Sequence, residues 1–432
     1  MELLAGIICI SFAAIGGKDN RNPIFLFCTF WAVLFFAGSF YWTGFNRASV
    51  ETIIIMIIGV AFFALGGKFG KMLGVRKIEK PEHFHSLFID SVCIIGSAYW
   101  TLKMIKAVPY LLSVGSFSLL RKEFWVIGGS ITPGLPDYIF NMFFANGIAL
   151  AIPAIAFTEL FKGEKKTLLI FGSIYMSIAA ALCNGGRLIF MNLLVCVLGA
   201  LILSGRTSNF RKALRTLPAS TKRTMRGIIF LIIIACVFLT IQRQSFVSNI
   251  FESIYNYFTL QFSLMSTTVD LVKSNHDITY GATSTMGITQ PIAMVFQFLG
   301  VIDYPEVYNV LAKYTSPYFD VGASIPYNAF VSQFFFFYLD GRILGVIFFD
   351  FIIGMIFEKW YLRIDGNQQR KYTAFYIIAL VAIVQSSFRF CFTYPSNVIA
   401  LLVICATYSS KKIVFKFRGK RCENDFGNSS NI

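Results

Sequence analysis

The sequence predicts an all-α, polytopic membrane protein of about eleven transmembrane helices, 10 to 12, with one large loop on the outer face. Three observations predict it. First, 56% of the 432 residues are hydrophobic, 14% are charged and 48 are Phe, too few polar groups to cover an aqueous surface. Second, apolar runs approach the roughly 17–25 residues that cross a bilayer. Third, the basic residues gather in short connections between those runs. That placement accounts for the net charge of +16, so nucleic acid is not an expected partner. The nine Cys are scattered, mostly within apolar runs and without metal-site spacing, and read as small core residues. No cofactor and no metal is expected.

The first run, 2–17, is short; Glu2 and the lack of a basic leader predict that it stays as an anchor. The second, 23–42, ends in Tyr41 and Trp42, suited to a membrane interface. Runs 50–65 and 86–102 follow, the latter containing Asp90, and then a mixed interval, 103–137, closed by Pro-Gly and Leu-Pro turn signals. The fifth run is 138–160. The sixth and seventh, 167–183 and 188–204, are separated only by Asn184, Gly185, Gly186 and Arg187. An eighth, 227–241, precedes a long mixed segment, and 343–357, 372–388 and 398–408 complete the set. The chain thus divides into an N-terminal bundle (1–241), a long outer segment with room for re-entrant helices (242–342), C-terminal spans (343–408) and a basic tail (409–432).

Placing the basic connections inside accounts for 27 of the 38 Lys and Arg and puts the N-terminus outside and the C-terminus inside. The segments 103–137 and 242–342 and both tight hinges then face outward, and Arg187, Arg243, Arg342 and Arg389 stand at outer span ends. A guanidinium presents a fork of donors that matches phosphate oxygens and stays charged. Several together would hold a lipid-linked pyrophosphate at headgroup depth; singly, each would snorkel to phospholipid phosphates. Gly185 and Gly186 free the backbone beside Arg187 to approach a ligand, and serve a plain helix turn equally well.

The long outer segment interleaves tyrosines with Ser, Thr, Asn and Asp. Their flat apolar faces and polar edges suit sugar rings, or an interfacial belt. The acids Asp270, Asp277, Asp303, Glu306, Asp320 and Asp340 are available as general bases or as acceptors for sugar hydroxyls, but no pair has a glycosidase-type spacing. His276 next to Asp277 reads as a solvated loop more than as an acid–base pair. Asp90 and Asp350, inside runs, are expected to face the protein interior or a wet cavity.

Two stretches carry a family resemblance: the hinge NGGRLIF, and the late segment opening on Tyr338, Leu339, Asp340, Gly341 and Arg342 with Gly345 following. With the long outer loop placed late, the chain resembles the bacterial oligosaccharide repeat-unit polymerases, the Wzy-type O-antigen and capsule polymerases. In that family the late segment reads Tyr-x-Asp-Phe-Gly-x-x-Gly; here Gly-Arg replaces Phe-Gly. The resemblance implies a fold like the multi-span GT-C glycosyltransferases in the bacterial inner membrane. It implies an undecaprenyl-pyrophosphate-linked oligosaccharide as substrate at the periplasmic or extracellular face, with a flippase and a chain-length regulator as further partners. The arginines would stabilise the departing pyrophosphate, with Asp340 or Asp320 near the acceptor. A flippase or other secondary transporter would show repeats and intramembrane charges along a pathway; an O-antigen ligase would share the donor and differ in its acceptor.

Overall fold

A computed structural model describes residues 1–17, 19–75, 82–204, 219–243, 250–322, 326–328, 331–364 and 369–409. Helices dominate: α1 (Glu2–Ala13), α2 (Pro23–Gly38), α3 (Val50–Leu73), α4 (Ser86–Val114), α5 (Phe117–Phe124) and α6 (Leu135–Ile139). A π-helical stretch, Phe140–Ala145, joins α6 to α7 (Asn146–Phe161). Then come α8 (Thr167–Asn184), α9 (Leu188–Ser204), α10 (Ala219–Arg243), α11 (Ile250–Asn275), α12 (Ala282–Phe298), α13 (Val307–Thr315), α14 (Ser332–Leu362), α15 (Gln369–Gln385) and α16 (Pro395–Thr407). One antiparallel strand pair, β1 (His83–Phe84) with β2 (Tyr408–Ser409), ties the start of α4 to the end of α16.

Each apolar run read from the sequence lies mostly in a helix. Among the described residues four helices are long and apolar enough to cross a bilayer: Val50–Leu73, Ser86–Val114, Leu135–Phe161 and Thr167–Asn184. Shorter apolar helices, including α2 and α16, stand beside them. The chain is therefore a membrane protein by its helices. Local chemistry sets the boundaries: Asn22 caps α2 through its side-chain oxygen with Pro23 in the first turn, and Ser49 caps α3. α4 does not stop at residue 102 but continues past Pro109 to Val114. Its Lys103 is buried, and Nζ donates to Asp137 at 2.6 Å and to Ile131 O and Thr132 Oγ1 at 3.0 Å, which fastens the 103–137 interval to the bundle.

The largest departure from the sequence reading is α14. The reading opens a span at 343, whereas helix already begins at Ser332 and breaks at Gly341 and Arg342, the latter at φ 57° and ψ −141°. The first half folds back along the second. Gln333 Nε2 donates to Asp350 Oδ1 at 2.7 Å, and a Cβ added to Gly345 would sit 2.1 Å from the Phe337 carbonyl oxygen. Phe334 to Phe337 are all buried, Phe334 with its ring centre 4.6 Å from that of Trp31. Residues 332–340 thus form the first arm of a helical hairpin, packed into the bundle by its phenylalanines.

α3 holds the other half of α14 at very short range. A Cβ on Gly66 would lie 1.9 Å from the Phe351 carbonyl oxygen, and one on Gly354 2.1 Å from that of Phe63. Small residues let apolar helices approach until dispersion contacts and backbone dipoles hold them. Gly66→Ala should therefore cost about 1–3 kcal/mol by forcing the pair apart. A lowered thermal midpoint in detergent would show it; Gly227→Ala, which meets open space on an exposed turn of α10, should leave the midpoint unchanged or raised.

We refer to the end of the bundle carrying the 184–187 turn as the hinge end. At the opposite end, Arg21 donates to Asp19 at 2.9 and 3.0 Å and, with the Tyr361 hydroxyl, holds that carboxyl down at about 2. Arg370 bridges Glu159 at 2.9 Å and Glu164 at 2.6 Å, and holds the Glu164 carboxyl below its usual range.

Candidate functional site

A cavity of about 380 Å³ opens at the hinge end. Its walls come from five parts of the chain. α5 supplies Arg121 and Trp125, the α6–α7 stretch Tyr138 and Asn146, the hinge and α9 Asn184, Gly186 and Asn192, the end of α15 Gln385 and Arg389, and the start of α16 Tyr394 and Asn397. Among the described residues no Asp or Glu stands in the wall.

Local structure explains the placement. Gly185 ends α8 at φ 60°, a left-handed position that glycine takes without penalty. Asn184 Oδ1 then accepts from Gly186 N at 2.7 Å, and the Arg187 carbonyl receives the Phe190 and Met191 amides to start α9. At the other wall the Phe388 and Arg389 amides both donate to the Gln385 carbonyl, at 2.8 and 2.9 Å, a tight turn that returns Arg389 to the wall beside Gln385. Asn397 Nδ2 donates to the Cys391 carbonyl at 2.5 Å and fixes the mouth of α16.

Gln385 is only 2% exposed. Its Nε2 donates to Asn192 Oδ1 at 2.9 Å, and its Oε1 is buried without a hydrogen-bond partner among the described residues. Turning both amides over exchanges donor and acceptor but again leaves one polar group of Gln385 unpaired. A buried amide group left unpaired costs about 1–3 kcal/mol, so a polar group entering the cavity, water or ligand, is favoured at this wall. Two guanidiniums, a row of amides and three aromatic faces around one volume suit an anionic group joined to a polyhydroxylated one.

The structure brings some of the sequence-derived site residues together and leaves others apart. Arg389 lines the cavity, with its guanidinium 4.5 Å from the centre of the Tyr394 ring. Gly186 lines it too, and Gly185 is the turn that puts it there. Arg187 lies 5.4 Å from the Tyr257 ring, and Tyr257 contacts Phe388 at 4.6 Å, so Arg187 and Arg389 flank one aromatic pair. Arg342 is elsewhere: it forms the apex of the α14 hairpin, with Nη2 donating to the Val272 carbonyl at 3.1 Å and the guanidinium 5.3 Å from the Tyr338 ring. Its Nη1 is buried and finds no acceptor among the described residues. Arg243 ends α10, and its side chain lies outside the described residues.

Neither of the two acids singled out stands at the cavity. Asp340 is buried and its oxygens are engaged by Thr279 Oγ1 at 2.6 Å, the amides of Thr283 at 2.9 Å and Ser284 at 2.8 Å, and the Ser284 hydroxyl. It caps α12 from a distant part of the chain, a structural use of the carboxylate that leaves it no lone pair for a substrate proton. Asp320 is exposed and accepts from Gly322 N at 2.8 Å, closing a local turn. Asp277 receives Lys313 at 2.8 Å and the Tyr314 hydroxyl, which hold its carboxyl below the usual range, so it is an ion pair rather than a partner for His276. Asp350 is fully buried and receives Gln333. Among the described residues no group of three His, Cys, Asp or Glu could hold a metal.

No protein-family model matches the chain, and no curated protein and no solved structure matches it. The cavity therefore speaks through its own chemistry. Sequence reading missed Arg121, Asn192 and Gln385, which stand within or beside apolar helices. The available signal was amides inside runs that are otherwise apolar: Asn192 in α9 and Gln385 at the last position of α15.

Proposed function

We propose that the chain is a multi-span glycosyltransferase of the bacterial inner membrane that polymerises lipid-linked oligosaccharide repeat units at its periplasmic or extracellular face. In this reading the eleven runs cross the membrane with the N-terminus outside, the hinge end faces outward, and the architecture is of the GT-C kind. The observation that carries it is the cavity, without an acid among its described lining residues, in which Arg121 and Arg389 share a wall with the buried Gln385 amide whose Oε1 has no partner among the described residues.

The donor is a glycan on undecaprenyl pyrophosphate. As the bond between its anomeric carbon and the pyrophosphate oxygen breaks, charge develops on the leaving group. Arg389 and Arg121 meet that charge, with Arg187 adding to the field from behind Tyr257. Gln385 accepts a hydrogen bond from the attacking sugar hydroxyl and orients it. With no carboxylate among the described wall residues, the departing pyrophosphate is the base within reach for the hydroxyl proton. A flippase that delivers the lipid-linked unit and a regulator of chain length are the expected partners.

Deleting the protein in its host bacterium tests the reading through the surface-glycan ladder. Collapse to a single repeat unit on its acceptor is the expected result. Long glycan accumulating on the lipid carrier would mean a ligase, no unit outside would mean a flippase, and an unchanged ladder would end the glycan reading.

A further inference from the structure

α12 is built inside out. Its buried positions are Thr283, Ser284, Gly287, Gln290 and Ala293, spaced as one helix face and almost free of large apolar side chains. Its opposite face, Ile288, Ile292, Val295, Phe296 and Leu299 just beyond, is 44 to 63% exposed. A helix in water shows the reverse pattern, with apolar residues buried and polar ones out. Here the polar face is engaged within the protein: Gln290 Nε2 donates to the Tyr304 hydroxyl at 2.7 Å, and the Thr283 carbonyl accepts from Thr393 Oγ1 at 3.2 Å, with Gln290 Oε1 buried and without a partner among the described residues. The exposed face continues through Phe298, 89% exposed, to Val301 and Ile302.

Three further observations say what covers that face. No charged residue or His occurs from 278 through 302, although the segment lies between Asp277 and Asp303. α12 also packs against the opening turn of α16, an apolar helix: a Cβ on Gly287 would lie 2.1 Å from the Phe392 carbonyl oxygen and 3.0 Å from Val398. Finally, Leu402, one turn beyond Val398 on that helix, is itself 56% exposed, so the helix on which α12 packs also presents apolar surface outward.

We infer that α12 and the turn after it are immersed in the membrane leaflet at the hinge end, with the Ile288–Ile292–Phe296 face against lipid acyl chains. The 242–342 segment is then a bilayer element in part, not a loop standing wholly in water. The Asp340 carboxylate holds the start of this helix at the apex of the helical hairpin, which sets where it enters the leaflet. The inference is independent of the glycan reading, since it needs only that the protein is in a bilayer.

Nitroxide labels on I292C and F296C, in the full-length protein reconstituted in phosphatidylethanolamine/phosphatidylglycerol nanodiscs, test it, with D320C as the aqueous reference. The described native cysteines are buried or half-buried, and labelled wild-type protein supplies the background. Collision rates with oxygen and with a neutral nickel chelate are compared. The expected result is an oxygen-to-nickel ratio several-fold higher at 292 and 296 than at 320. A ratio equal to that at 320 overturns the inference in favour of water. Exclusion of both reagents overturns it in favour of a covering polypeptide. Because both substitutions lie on the exposed face, misfolding of one leaves the other to decide.

Discussion

Arg389→Ala should reduce chain extension by about 100-fold or more while the protein still accumulates and inserts, the usual effect of removing one donor aimed at developing charge. Of the singled-out arginines whose side chains are described, Arg187, Arg342 and Arg389, only Arg389 lines the cavity, and its guanidinium is stacked on Tyr394 at 4.5 Å. Stacking holds the fork in place, so under the proposed function little ordering would remain to be done on binding the pyrophosphate. Arg389→Lys keeps the charge but loses both the planar fork and the stacking, and should recover only part of the activity. The length distribution of glycan made by each variant in the deletion background reads the difference. A full-length ladder from Arg389→Ala would remove the cavity from the reaction. Arg342→Ala should behave differently, because its guanidinium braces a hairpin apex; loss of thermal stability, rather than a selective loss of extension, is its expected signature.

Asp340→Ala carries the largest expected cost in stability, about 3 kcal/mol or more, since it strips four donors of one acceptor at once. Two of those donors are the amides that open α12, and α12 has no side-chain cap of its own. Asp340→Asn should be intermediate: one carbonyl oxygen remains, but the amide NH2 now points at donors. Thermal unfolding in detergent, followed by the loss of monodisperse protein, ranks the three. If all three melt together, α12 is held by its packing on α16 rather than by this carboxylate.

The helices were legible because composition and run length report directly on burial in hydrocarbon. The hinge at Gly185 was legible for the same kind of reason, since paired glycines between two apolar runs leave little else to build. The hairpin was not. The reading opened its span at 343, directly after the break at Gly341–Arg342, but Ser332–Asp340 is too short to announce itself as a span, so the half-helix before the break was left in the outer segment. Asp340 was read as a chemical group because its partners, Thr279, Thr283 and Ser284, lie more than fifty positions away in sequence. The cavity was invisible for the same reason, since its wall draws on residues from Arg121 to Asn397 and no local pattern joins them.

The first arm of α14 also fixes an order of events during synthesis. Its first turn donates backbone amides to the far end of α15, Val331 N to the Phe388 carbonyl and Gln333 N to that of Ser386, while Ser386 Oγ receives the Trp31 indole. Those acceptors emerge from the ribosome some fifty residues after the half-helix itself. Phe334 and Phe335 meet Trp31, Phe27 and Tyr314, which are made earlier, but until α15 is made the start of the half-helix lacks these acceptors. The last two helices are thus the latch on the wedge, and its seating is completed only when they arrive.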